Sequence, residues 1–184
     1  MNLRVRQAQE GDENRIAEIQ INAWQQAYAG IMADNYLASL ELGEISELWH
    51  QSITQFSLGS LAVIEKNGII EGFSVFGPAR DKELQGGMAS ELVAINICPN
   101  YWRSGIGGKL LDYVINELAS RGYEFVYLWV ATENKSARAF YQAYGFICDN
   151  FTKINERFSG IEETRYVLKL VTNKPQELAP NSCG

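Results

Sequence analysis

Gly105, Gly107 and Gly108 crowd into the stretch Arg103-Ser104-Gly105-Ile106-Gly107-Gly108-Lys109, just after a run of β-formers ends at Pro99 and just as a helical pattern begins. Glycine lets a backbone approach another group closely. The first turn of a helix presents N–H groups that no carbonyl of the helix reaches, and the aligned peptide dipoles favour negative charge there. The chemistry these residue types suit is the holding of an anion such as phosphate. Tight packing of the helix start on a strand also calls for small residues, but three glycines at one helix start favour the anion.

Two familiar phosphate motifs do not fit. A dinucleotide fingerprint needs Gly-x-Gly-x-x-Gly, and counting from Gly105 puts Leu110 where the third glycine belongs. A P-loop needs Gly-x-x-x-x-Gly-Lys followed by Ser or Thr, and here Arg103 and Leu110 stand in the first and last of those places. The single histidine, His50, lies in a helical pattern with no nucleophile motif beside it, so a Ser-His-Asp triad and a multi-histidine zinc site are both excluded. No metal is expected.

Composition narrows the classes further. The chain has 184 residues, 46% apolar and 21% charged, the balance of a soluble globular protein. Its net charge of −6 argues against nucleic acid as a partner, leaves cationic substrates such as amines open, and also suits plain solubility. The N-terminus has no apolar signal core and no stretch approaches a membrane span, so a cytoplasmic protein without membrane contact is expected. Cys98, Cys148 and Cys183 are odd in number and lack Cys-x-x-Cys spacing, which reads as free thiols in a reducing compartment.

The elements that must position the glycines follow from periodicity. Leu3 to Gln9 alternates as a short strand, and Asp12 is placed to cap a helix running to about Ala29 with an apolar stripe of Ile16, Ile19 and Ala23. Helical patterns follow over roughly Asp34–Glu41 and Glu44–Phe56. The stretch SLAVIEKNGIIEGFSVFG is two β runs around Asn67-Gly68, a strong hairpin signal. A loop, PARDKELQGGMAS, leads to the strand ELVAINIC and then to the glycine helix, which buries Ile106, Leu110, Leu111, Val114, Ile115 and Leu118 and ends before Gly122. YEFVYLWVA reads as a buried strand, Asn134 caps the helix KSARAFYQAY, and Gly145 closes it. Strands near Phe146–Lys153 and Ile161–Val171 finish the fold. The order predicts one α/β domain over residues 1–171, with a mixed central sheet, a parallel crossover at its centre and helices on both faces; residues 172–184 read as a disordered tail.

Trp102-Arg103-Ser104-Gly105-Ile106-Gly107 resembles the acyl-coenzyme A pyrophosphate loop of the GNAT superfamily of N-acetyltransferases: Gln or Arg, two residues, Gly, any residue, then Gly or Ala. Trp102 departs from the first position. Downstream, Asn134, Ala137, Phe140, Tyr141, Gly145 and Phe146 fall in the order of the family's next signature. Upstream, AWQQAYAGIMADNYL, and near the end EETRYVLKL, are similar to stretches of bacterial members of unassigned substrate. The resemblance runs from Leu3 to Leu170.

The resemblance implies a sheet that splays between the Glu91–Cys98 and Phe125–Ala131 strands, with acetyl-coenzyme A in the gap. Its pantetheine arm would pair with the backbone around Ile95, Asn96 and Ile97. Its pyrophosphate would meet the N–H groups from Arg103 through Ser104, Gly105, Ile106 and Gly107 to Gly108, with Lys109 either pairing with phosphate or staying solvated. Asn134 and Ala137 would lie along the coenzyme, although helix capping alone accounts for Asn134. The implied reaction is direct acetyl transfer to a primary amine, which arrives protonated and must lose a proton before it attacks. Glu91, where the histone acetyltransferase branch carries its general base, would take that proton, or would only position substrate or pair with a base. Tyr141 would protonate the departing thiolate, or serve as a core aromatic. Trp24, Tyr28, Ile31, Met32 and the segment from Phe76 to Arg80 would shape a pocket for a small organic amine, Trp24 and Tyr28 being equally suited to core packing. Related folds pair through late strands or helices, so a homodimer is expected. Two alternatives remain: a module that binds acyl-coenzyme A without catalysis, and transfer to a protein or peptide amine.

Overall fold

Asn67 and Gly68 both take left-handed backbone, with φ of 53° and 85°, the pair of conformations that joins antiparallel strands without splaying them. The computed structural model describes residues 2–55, 60–158 and 160–171. Its elements are β1 (Leu3–Gln7), α1 (Glu13–Ala27), α2 (Asp34–Ala38), α3 (Leu42–Gln55), β2 (Ser60–Lys66), β3 (Ile69–Pro78), β4 (Ala89–Ile97), α4 (Ile106–Ser120), β5 (Phe125–Ala131), α5 (Lys135–Tyr144), β6 (Ile147–Asn155) and β7 (Ile161–Lys169). The expected tail falls outside the described residues.

The strands form one mixed sheet in the order β1-β2-β3-β4-β5-β7-β6. All neighbours are antiparallel except β4 and β5, whose crossover through α4 is parallel. The parallel ladder is short. It runs from Ala89 opposite Phe125 to Glu91 opposite Tyr127 and then stops, while β4 continues to Ile97 and β5 to Ala131. The sheet therefore opens beyond Glu91, as expected from the resemblance. A bulge marks the place: Val75 pairs with Ala94 and Phe76 with Leu92, leaving Val93 without a partner on β3, and an extra residue of this kind bends a strand away from its neighbour.

Helices cover both faces because the strands are apolar on both. On one face Leu110, Leu111, Val114 and Leu118 of α4 bury against Ile64, Leu92, Val126, Leu128 and Tyr166, with Tyr141 and Phe146 completing the layer. Each such aliphatic side chain contributes about 1.5–3 kcal/mol by leaving water. On the other face Ile16 and Ile19 of α1 meet Val63, Phe73 and Val75, with Trp49 and Ile53 of α3 beside them.

Asp12 does not act as the expected cap. Its carboxylate accepts hydrogen bonds from Arg6 at 2.6 and 3.0 Å and from the Gln9 N–H at 2.9 Å, so no oxygen is directed at the first turn of α1. Asn134 does cap α5, its side chain accepting from the Ala137 N–H at 3.1 Å, and Gly145 ends that helix at φ 110°. The second helix is shorter than its pattern, Asp34–Ala38.

Candidate active site in the opening between β4 and β5

Backbone direction decides what the opening can hold. The Ala94 carbonyl accepts from the Ser74 hydroxyl at 2.9 Å, and the Cys98 N–H donates to the Glu71 carbonyl at 2.8 Å. Alternation then turns the backbone groups of Ala94, Asn96 and Cys98 toward β3, and those of Ile95 and Ile97 toward the gap. An extended chain lying beside β4 would find the N–H and C=O groups of Ile95 and the N–H of Ile97. The Ile97 carbonyl already accepts the Trp102 indole N–H at 2.8 Å. Asn96 offers the gap no backbone group.

The loop that follows is sharply bent. Arg103 (φ 59°) and Gly105 (φ 86°) both take left-handed backbone, a conformation glycine adopts at little cost. The Ser104 N–H and hydroxyl turn back to the Tyr101 carbonyl at 3.3 and 2.6 Å, and the Lys109 N–H closes on the Gly105 carbonyl at 3.2 Å. Among the described residues the N–H groups of Arg103, Gly105, Ile106, Gly107 and Gly108 have no such partner. Ile106 buries its side chain in the core (2% exposed) and gives the loop its N–H alone. The glycines differ in what they face. A Cβ at Gly105 or Gly108 would enter open space, whereas one at Gly107 would touch the Phe140 ring at 3.5 Å and Ile97 at 3.6 Å. Gly105 answers to backbone conformation, Gly107 to close packing, and Gly108 to free space over the helix start. Lys109 is exposed.

Glu91 lies where the strands part and is 2% exposed. Its Oε1 accepts from Arg80 Nη2 at 2.7 Å; its Oε2 accepts from Arg80 Nε at 2.8 Å, the Tyr127 hydroxyl at 3.1 Å and the Arg80 backbone N–H at 3.3 Å. The Tyr127 oxygen in turn accepts the N–H groups of Arg80 and Asp81, each at 3.1 Å. Asp81 accepts the Trp129 indole N–H at 2.9 Å. The guanidinium of Arg80 is raised above its ordinary value, chiefly by the hydrogen bond to Glu91, and burial raises the Tyr127 phenol. This network clamps the segment after β3 over the sheet.

Across the gap, Tyr141 of α5 packs between Phe140 and Phe146, with ring centres 5.4 and 5.7 Å away. Burial, then the neighbouring Tyr28 phenol, raises its pKa and keeps it protonated. No fully buried side-chain nitrogen or oxygen among the described residues lacks a hydrogen-bond partner, so the Tyr141 hydroxyl, which bonds to none of them, keeps an open side. Tyr28 ends α1, its phenol pushed up to about 12 by burial and then by the charge of Glu163. Trp24 stands edge-on to Tyr28 at 5.7 Å and to Phe158 at 5.2 Å. Met32 is buried (4%), its N–H donating to the Tyr28 carbonyl at 3.0 Å.

The structure thus brings Trp24, Tyr28 and Tyr141 together, and lines Ile95, Ile97 and the glycine loop along the gap. Phe76 stays apart: it is 1% exposed in the α4-side core, with the Arg121 guanidinium 5.5 Å from its ring centre. Sequence reasoning missed Tyr127, Trp129, Phe158 and Glu163. The usable signal for the first two was a buried strand carrying a hydroxyl and an indole N–H, each of which needs a partner. Among the described residues no group of three or more His, Cys, Asp or Glu is placed to hold a metal ion, and no helix is long and apolar enough to cross a membrane.

Residues 21–146 match the model of the acetyltransferase (GNAT) family. An uncharacterized N-acetyltransferase of Bacillus subtilis, YuaI, is 32% identical over 140 residues, covering 76% of this chain and 78% of the relative. A probable N-acetyltransferase of Mycobacterium tuberculosis, Rv2775, is 29% identical over 180 residues, covering 95% of this chain and 97% of the relative. The PaiA N-acetyltransferase of Thermoplasma acidophilum, solved in complex with coenzyme A, has a TM-score of 0.71 at 19% identity, covering 90% of this chain and 98% of that one. That last likeness is one of fold.

Proposed function

We propose, from the premise that the chain belongs to the GNAT acetyltransferase family, that it transfers the acetyl group of acetyl-coenzyme A directly to the primary amine of a small molecule in the cytoplasm. The observation that carries this reading is the gap beyond Glu91, with unpartnered N–H groups at the start of α4 on one side and the Tyr141 phenol on the other. The N–H groups from Arg103 to Gly108 would hold the pyrophosphate, where the helix dipole favours it. Ile95 and Ile97 would pair with the pantetheine amides as an added strand does. Asn134 is occupied through its oxygen as a helix cap, and its amide nitrogen is the part left for the coenzyme.

The ammonium first gives one proton to water, and the free amine attacks the thioester carbonyl; a C–N bond forms, the C–S bond breaks, and the nitrogen sheds its second proton to water to leave the amide. The departing thiolate takes its proton from the Tyr141 hydroxyl, and the phenolate is reprotonated from water. Burial holds Tyr141 protonated until that moment. The arrangement around Glu91 favours a positioning role, because the carboxylate is 2% exposed and already accepts four hydrogen bonds from Arg80 and Tyr127, three of them on Oε2, so that only Oε1 keeps a lone pair for a proton.

Thiol release from acetyl-coenzyme A on a panel of primary amines tests the activity, and thermal shift with acetyl-coenzyme A, ATP and NAD tests the ligand. Stabilisation by acetyl-coenzyme A alone, with amine-dependent thiol release, is expected. Stabilisation by ATP or NAD in its place would overturn the assignment. A homodimer remains part of the proposal, and a monomeric mass by light scattering at all micromolar concentrations would remove it.

A further inference from the structure

A carboxylate to which the sequence assigned no role stands at the end of the gap. Glu163 of β7 pairs in register with Ala131, the last residue of β5. Alternation turns its side chain away from Thr164 and Tyr166, and Tyr166 belongs to the α4-side core. It therefore lies on the opposite face with Arg165, whose guanidinium covers the rings of Phe151 at 4.2 Å and Trp129 at 5.6 Å. The turn just before β7 carries Phe158 against Trp24, which brings the C-terminal end of α1 to the same corner.

Glu163 is 8% exposed, yet its hydrogen bonding is incomplete. Its Oε1 accepts from Asn155 Nδ2 at 3.0 Å, while among the described residues Oε2 has an ion pair with Lys153 Nζ at 3.8 Å and no hydrogen bond. That same ammonium lies 4.1 Å from the centre of the Trp129 ring. The corner thus already holds one alkylammonium between a carboxylate and an aromatic face, an arrangement in which both partners attract the cation. Glu163 is also near enough to Tyr28 for its charge to act on that phenol. Glu91 offers no comparable vacancy.

Resting on the acetyl-transfer reading, we propose that Glu163 is the seat of the acceptor's ammonium, walled by Trp24, Tyr28 and Phe158, and that the acceptors are alkylamines and arylalkylamines without a carboxylate beside the amine. A carboxylate at that place would face Glu163 across an aromatic-walled site, where like charges repel strongly.

Matched probes test this on the full chain: tyramine against L-tyrosine, and histamine against L-histidine, each amine followed by thiol release. At least tenfold higher kcat/KM is expected for the member without the carboxylate. Glu163→Gln keeps the size and the Asn155 contact, so it should raise KM for the preferred amine at least tenfold, with kcat and acetyl-coenzyme A Kd changed less than about threefold. Glu163→Asp, which keeps the charge, should recover part of the loss. If Glu163→Gln fails to fold, the matched pairs and Glu163→Asp still decide. Equal or better use of the carboxylated members, or an unchanged KM in Glu163→Gln, overturns the proposal. Thiol release with none of these amines overturns it as well, and acetyl-coenzyme A binding then tells whether the acetyl-transfer reading has failed with it.

Discussion

Replacing Glu91 by Gln separates a positioning carboxylate from a general base. The change removes the negative charge from four contacts, two with the Arg80 guanidinium, one with the Arg80 N–H and one with the Tyr127 hydroxyl. Hydrogen bonds to a charged group contribute about 1.5–3 kcal/mol where both partners are buried. Arg80 is 64% exposed, so water takes over its donors and the ion pair falls toward the ~0.2–1 kcal/mol of a surface pair. Glutamine also keeps one acceptor oxygen for Tyr127 or Arg80. The expected loss is ~1–2 kcal/mol, a fall in Tm of about 2–8 °C for a chain of this length. Loosening the Arg80–Asp81 segment should raise the amine KM, and the single-turnover rate at saturating amine should stay within about tenfold of wild type, since loss of a true general base costs about 10²–10⁴. A stopped-flow thiol assay on the folded variant measures it. A fall of a hundredfold or more, with Tm and acetyl-coenzyme A Kd unchanged, would refute the positioning argument and make Glu91 the base.

Gly108→Val adds bulk in open space above the start of α4; Tm should stay within about 2 °C because the helix propensity of Val is close to that of Gly, while acetyl-coenzyme A Kd by calorimetry should rise tenfold or more. Unchanged affinity would place the anion elsewhere. The raised Tyr28 phenol sets a pH limit on stability: burial, then the charge of Glu163, pushes it up to about 12 from its ordinary 10.0, so its contribution is complete below the unfolded value and is lost as the pH rises from there through the folded one. Tm measured across that window should fall less steeply for Tyr28→Phe than for wild type, and equal slopes would show that Tyr28 is solvated.

Local chemistry was legible in the sequence, and chemistry between distant segments was not. The Asn67-Gly68 turn, the Asn134 cap and the stop at Gly145 each depend on residues a few positions apart, and each stands where its residue type placed it. Asp12 has the right residue type for a cap but lost that role to Arg6, a charged donor that outcompetes a backbone N–H. At the site, the glycine loop and Tyr141 carry their own pattern. The Arg80–Glu91 clamp and the Glu163 corner have none, because they form only when β3, β4, β5 and β7 come into register. Gly107 shows the same limit on a smaller scale: sequence grouped it with Gly105 and Gly108, and only the packing of α5 reveals that its face is occupied by Phe140.

The most direct test of acetyl transfer in this gap is the single-turnover rate of amine-dependent thiol release in Tyr141→Phe, measured beside wild type on an accepted amine. The hydroxyl bonds to no described residue and the ring keeps its place between Phe140 and Phe146, so Tm and acetyl-coenzyme A Kd should match wild type. The rate should fall by the ~10²–10⁴ of a lost general acid. A wild-type rate in the Phe variant would contradict the account and leave Tyr141 a core aromatic.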